Sequence, residues 1–115
     1  MRRGDIYWVS LEPARGAEAN KTRPAVIVSN DAANRAAGRA GRGVVTVVPI
    51  TSSTDRVFPF QVLLKAAECG LAVDSKAQAE QVRAVAADRL GNRIAEVPPA
   101  TMAALDNALR LHLAL

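Results

Sequence analysis

The sequence predicts a mainly β (α+β) domain: a small, strongly bent antiparallel sheet or barrel with short helices and one C-terminal helix. Three observations predict it. Two β-branched apolar runs, AVIV at 25–28 and VVTVVPI at 44–50, are bounded by turn-forming residues. The opening segment alternates at a strand's period, and only the last stretch carries apolar residues at a helix's period. A chain of 115 residues, without repeats or a linker, is expected to form one domain spanning 1–115.

Each element follows from local chemistry. Arg3 and Gly4 form a turn. Ile6, Trp8 and Ser10 then alternate with Tyr7, Val9 and Leu11, giving a strand within Arg2 to Pro13 that Pro13 stops. ARGAEANKT, 14–22, has the composition of an exposed loop, and it holds Glu18. A loop this long is more often functional than a short turn is. Ala25 to Val28 predict a buried strand, with Pro24 best placed as its first residue because it lacks an N–H. Pro24 also biases Arg23 toward extended backbone, fixing that guanidinium at the strand's mouth.

Asn30 or Asp31 caps a short helix through Ala32 to Arg35. The glycine-rich stretch 36–43 is expected to end it in a mobile basic loop, with Arg35, Arg39 and Arg42 solvated there. Val44 to Ile50 form a second apolar strand that Thr51 terminates. A polar loop follows, then a strand from Phe60, then an irregular crossing at 65–75. Lys76 to Ala86 is alanine-rich, which favours helix. A strand is expected instead, because Ala77, Ala79, Gln81, Arg83 and Val85 would share one face of it. Asp88 to Asn92 make a helical turn and RIAEV a short last strand. Pro98 and Pro99 open the final helix, whose stripe of Met102, Leu105, Leu109 and Leu113 is widened by Leu111 and Leu115. So broad a face either seals the sheet or joins a partner subunit.

Composition narrows the function. Hydrophobic residues make up 50% of the chain, which excludes general disorder. Aromatics are few (Tyr7, Trp8, Phe58, Phe60), so base stacking has few side chains to use. Lys and Arg number 15 against 11 Asp and Glu, and the net +4 favours an acidic partner, nucleic acid or protein. Cys69 stands alone, so no intrachain disulfide forms and a reducing compartment is expected. With no 18-residue apolar stretch and no signal-like start, a cytoplasmic protein without membrane contact is expected. His112 has no partner of its kind and is read as structural; neither a metal nor a cofactor is expected.

If the strands at 25–29 and 44–50 are antiparallel neighbours, Arg23 and Thr51 share one rim, near Glu18, Ser52 and Ser53. That set contains neither a serine-hydrolase triad nor a phosphate-cradling loop. A guanidinium there suits phosphate or carboxylate; alternatively it closes a surface ion pair. RNA cleavage is one chemistry the set could serve, since the substrate's 2′-hydroxyl is the nucleophile. Arg23 would stabilise charge on the phosphorane, Thr51 would hold a phosphate oxygen, and Glu18 is a plausible base. Arg23 itself, a guanidinium that stays protonated, is a poor proton acceptor.

RRGDIYWVSLEPARGAEAN, TRPAVIVSND, VVTVVPITS and AEQVRAV together resemble the MazF/PemK family of bacterial toxins, ribonucleases of toxin–antitoxin pairs. The resemblance covers essentially the whole chain, with Ala17 where the family's G-[SA]-E loop usually has serine. It implies an SH3-like small barrel, a symmetric homodimer and metal-independent, sequence-specific cleavage of single-stranded RNA to a 2′,3′-cyclic phosphate and a 5′-hydroxyl. It also implies a cognate acidic antitoxin whose disordered tail occupies the RNA groove. On this resemblance Arg23 and Thr51 are catalytic, with Glu18 in support. Thr22, Ser52, Ser53, Gln81 and Arg83 are candidate RNA contacts. Two rivals share the barrel: a gyrase-poisoning toxin, and a catalytically silent RNA binder.

Overall fold

The computed structural model describes all 115 residues. Seven strands alternate with three helices: β1 Asp5–Ser10, β2 Thr22–Ile27, α1 Asp31–Ala40, β3 Val44–Thr51, β4 Gln61–Leu64, α2 Ala66–Cys69, β5 Ser75–Gln78, β6 Arg83–Ala86, β7 Leu90–Glu96 and α3 Pro99–Leu113. All pairings are antiparallel, in the order β4-β5-β3-β2-β1-β7, with β6 also on β3. The sheet does not close. β4 and β7 are its two ends, so the expected barrel is an open sheet.

Alternation along the strands sends side chains into two cores. One gathers Ile6, Val26, Val48, Ile50, Leu64 and Ala77 under Leu105 and Ala108 of α3. The other gathers Val9, Ala25, Ile27, Val45, Val47 and Val85 under Ala37 of α1, with Leu11 and Ala19 at the ends of the 11–21 loop packed on it. The final helix therefore seals the sheet, while Leu111, Leu113 and Leu115 stay exposed beyond it.

Four departures from the sequence expectation have physical causes. First, β2 begins at Thr22, so Arg23 and Pro24 lie inside it, opposite Val9 and Trp8. Pro24 is tolerated because pairing to β3 starts only at Ala25, leaving no ladder bond there for a missing N–H to break. Second, α1 runs through the glycine-rich stretch to Ala40. Asn30 caps it by accepting the Ala33 N–H at 2.8 Å, and Gly41 ends it in the left-handed conformation. Arg35 and Arg39 are thus helical, and only Arg42 lies in the loop. Third, the expected strand from Lys76 to Ala86 is two strands. Ile50 faces Ala77 whereas Val47 faces Arg83, so three steps along β3 are matched by six along its partner. The surplus is the 3₁₀ turn Ala79–Gln81. Last, 65–75 contains α2, and the final strand starts earlier, at Leu90.

Candidate active site

The β2–β3 register assembles the rim. Ala25 faces Pro49, so two residues further out Arg23 comes level with Thr51, although ladder pairing has ended. Both odd-numbered positions point to the face bearing Val47 and Ile27. Beyond Pro49, β3 leaves β2 and pairs instead with β5, Thr51 against Lys76. The sheet opens at this point, and it opens beside Arg23.

Arg23 is partly buried and held by one residue. Its Nε donates to the Asn20 carbonyl at 2.7 Å and its Nη2 to the Asn20 side-chain oxygen at 3.1 Å. The ion pairs of the molecule are Arg3 with Asp106, and Arg93 with Asp5 and Glu96. Arg23 is in none of them, so the surface ion pair left open by the sequence is not formed. The guanidinium is oriented by neutral acceptors, keeps its full charge, and has both Nη1 hydrogens free for an anion.

Thr51 is half-buried. Its Oγ1 accepts the Ser53 N–H at 3.3 Å, a local turn that leaves the hydroxyl proton free to donate. Ser52 is exposed and lines, with Arg23, Trp8, Pro24, Ile50 and Ile94, an apolar cavity of about 280 Å³. Thr22 is exposed at the strand's start, opposite Ser10.

Glu18 lies elsewhere on the rim. It lines a second recess with Glu80, Gln81 and Arg83, and its Oε1 accepts the Arg15 N–H at 3.1 Å. Gln81 grips the backbone of the same loop: its Oε1 accepts the Ala19 N–H at 3.0 Å and its Nε2 donates to the Ala17 carbonyl at 3.1 Å. Arg83 donates to the Leu11 carbonyl at 3.3 Å, and Arg89 to the carbonyls of Ser10 and Glu12. The structure thus places Arg23 and Ser52 around one cavity and Glu18, Gln81 and Arg83 around another. Asn20, two residues from Glu18, holds Arg23.

A family model described as PemK-like, MazF-like toxin of type II toxin-antitoxin system matches residues 2–113. The chain belongs to this toxin family. Relatives of the PemK/MazF toxin include endoribonuclease MazF9 of Mycobacterium tuberculosis, 61% identical over 113 residues that span 98% of this chain and 96% of that one. Endoribonuclease EndoA of Bacillus subtilis is 32% identical over 116 residues, covering 100% and 96%. Among solved structures, MazF of Deinococcus radiodurans superposes with a TM-score of 0.83 at 26% identity, over 100% of this chain and 97% of that one. An endoribonuclease from a mycobacterial species, solved with its cognate antitoxin, gives 0.77 at 29% identity, over 100% and 96%.

Two residues of the toxin's rim escaped the sequence reading. Asn20 stood in a loop whose composition signalled only exposure, and its bonds to Arg23 exist only in the folded chain. Lys76 is buried beside Thr51, in the alanine-rich segment where nothing marked it.

Proposed function

We propose that this endoribonuclease toxin cuts single-stranded RNA at short sequences by attack of the substrate's own 2′-hydroxyl, with Arg23 and Thr51 at the scissile phosphate. The observation carrying the reading is Arg23: a guanidinium fixed in direction by Asn20 and matched to no carboxylate. The rim offers N–H and O–H donors, and nowhere do three His, Cys, Asp or Glu side chains converge as metal ligands would. In the reaction the 2′-oxygen bonds to phosphorus, the bond from phosphorus to the 5′-oxygen breaks, and a 2′,3′-cyclic phosphate and a 5′-hydroxyl result. Arg23 meets the charge that develops on the phosphorane oxygens. Thr51 donates its free hydroxyl to one of them. Glu18, on the loop that Gln81 secures, is the candidate acceptor of the 2′-proton, and a proton from solvent completes the departing 5′-hydroxyl, while Thr22, Ser52, Ser53 and Arg83 border the strand of RNA.

The chain forms one domain over residues 1–115 and works in the cytoplasm, where a net charge of +4 meets nucleic acid. It pairs as a homodimer through the exposed end of α3, where Leu113 and Leu115 flank a recess with Arg3, Val28 and Thr46. Its cognate antitoxin, acidic and disordered when free, competes with RNA for the rim around Arg23, by charge complementarity to a +4 chain. The test is mass analysis of the cut ends of RNA with EDTA present. A 2′,3′-cyclic phosphate that is lost in Arg23→Ala is expected; full activity of Arg23→Ala overturns the reading.

A further inference from the structure

We propose that Lys76 is a positioning residue for this cleavage: its buried ammonium latches the segment from Ser52 to Pro59 and thereby holds Thr51 in its working orientation. The inference rests on the role given above to Thr51.

Lys76 is unusual among the cations of this chain. It is only 8% exposed, and it belongs to none of the ion pairs. Burying an ammonium away from any carboxylate is unfavourable, and an apolar side chain of similar length would fill the same space more stably. What the ammonium gains is a loop. Its Nζ donates to the Arg56 carbonyl at 2.6 Å and stands 5.9 Å from the centre of the Phe58 ring. The Arg56 guanidinium lies over the same ring at 4.7 Å, and Phe60 stacks on Phe58 at 5.2 Å with the planes 2° apart. Two cations lie against one aromatic ring, an arrangement that cation–π attraction supports. It leaves positive charge at the rim that no side chain neutralises.

The place of Lys76 in the sheet gives the latch its consequence. Thr51 is directly opposite Lys76 in the β3–β5 ladder, so their side chains stand on one face as immediate neighbours. Arg23 comes level with Thr51 from the other side, which sets Arg23, Thr51 and Lys76 in a row across three strands. The latched segment is tied at three points. Thr51 holds the Ser53 N–H, Lys76 holds the Arg56 carbonyl, and Gln61 accepts the Phe58 N–H at 3.1 Å. Remove the middle tie, and the 52–59 segment is free to swing about its ends. Ser53 then leaves Thr51, whose hydroxyl loses the bond that orients it. Arg23, held by Asn20, is untouched. Substrate binding should therefore survive better than turnover.

The experiment compares wild type with Lys76→Met, which keeps the apolar stem and loses the donor, and with Lys76→Arg, which restores one. Trypsin cleavage after Arg56 and amide exchange over 53–58, both measured without RNA, should accelerate roughly tenfold or more in Lys76→Met. On a short RNA its kcat should fall on the order of tenfold with KM within about twofold, and Lys76→Arg should recover part of both effects. An unchanged exchange rate overturns the latch. Faster exchange with unchanged kcat overturns its link to catalysis. If Lys76→Met shows no cooperative melting, Phe58→Leu, which removes the ring the two cations share, is read by the same two measures. A wild type that cuts equally well as Arg23→Ala would indict the active-site reading instead, since loop exchange does not depend on it.

Discussion

The two ends of β1 treat their cations in opposite ways. At the Asp5 end, Arg93 donates to the buried Asp5 carboxylate at 3.2 Å, with Glu96 close by, and Arg3 meets Asp106 at 2.7 Å. At the Val9 end, Arg23, Arg83, Arg89 and Lys76 all reach neutral oxygens: a side-chain amide, and backbone carbonyls. The carboxylates nearby do not answer them. Glu80 accepts from the Gln61 amide and Glu18 from the Arg15 N–H. A carboxylate partner neutralises a cation and stabilises the fold. A carbonyl partner orients the cation and leaves its charge for something else. The first end is built for stability, and the second is left short of an anion, the place that the proposed function gives to RNA phosphate.

Mutations at the two ends should separate these roles. The largest effect is expected for Arg23→Lys: a loss on the order of a hundredfold in cutting rate, about 3 kcal/mol, because an ammonium cannot reproduce the planar fork. Near-normal single-turnover rates would mean that charge alone suffices. Asn20→Ala removes one of the two bonds on Arg23 and leaves the backbone carbonyl. It should slow cutting by roughly tenfold, about 1.4 kcal/mol, without lowering the melting temperature. If the rate holds, the geometry of Arg23 is set by something other than Asn20. Asp5→Asn should do the reverse. It weakens the bonds to the Arg2 N–H and to Arg93, so the melting temperature should drop by roughly 5 °C while the cutting rate stays. A damaged rate with a normal melt would erase the contrast between the ends. The smallest effect belongs to Cys69, buried beneath the sheet. Burial, reinforced by Glu68, pushes its thiol above the usual range. It should stay protonated at neutral pH and resist iodoacetamide until the protein unfolds; rapid labelling of the native toxin would show that this face opens.

The strands were legible where β-branched runs left helix no chance, as at Val26 and Ile27 and at Val44 to Val48. The rim followed from one assumption, that these two runs are antiparallel neighbours, and the register bears that out. Two features were hidden because the residues carry opposite local signals. Gly38 argued for a loop, yet it sits within α1, where its neighbours Ala36, Ala37 and Ala40 are strong helix formers. In the segment after Lys76 the alternation is real on both sides of the interruption, with Ala77 and Val85 each buried. The three residues that break it cannot be seen without β3 as a ruler. Asn20 and Lys76 were invisible for another reason: what matters in them is a partner, and partners are a property of the fold.

The grip of Gln81 on the 11–21 loop has a consequence for how this surface can change. One primary amide offers an acceptor to the Ala19 N–H and a donor to the Ala17 carbonyl, the same pair of bonds that a neighbouring strand would have offered. The side chain serves as a surrogate peptide group, lending a loop the fixity of a sheet edge it never joins. Because both bonds go to main-chain atoms, nothing in them depends on which side chains the loop displays. Ala17 keeps its place with only a methyl group to show. Residues facing a substrate could thus be exchanged one for another while the frame beneath them stays put, so recognition can drift without the toxin having to refold around it.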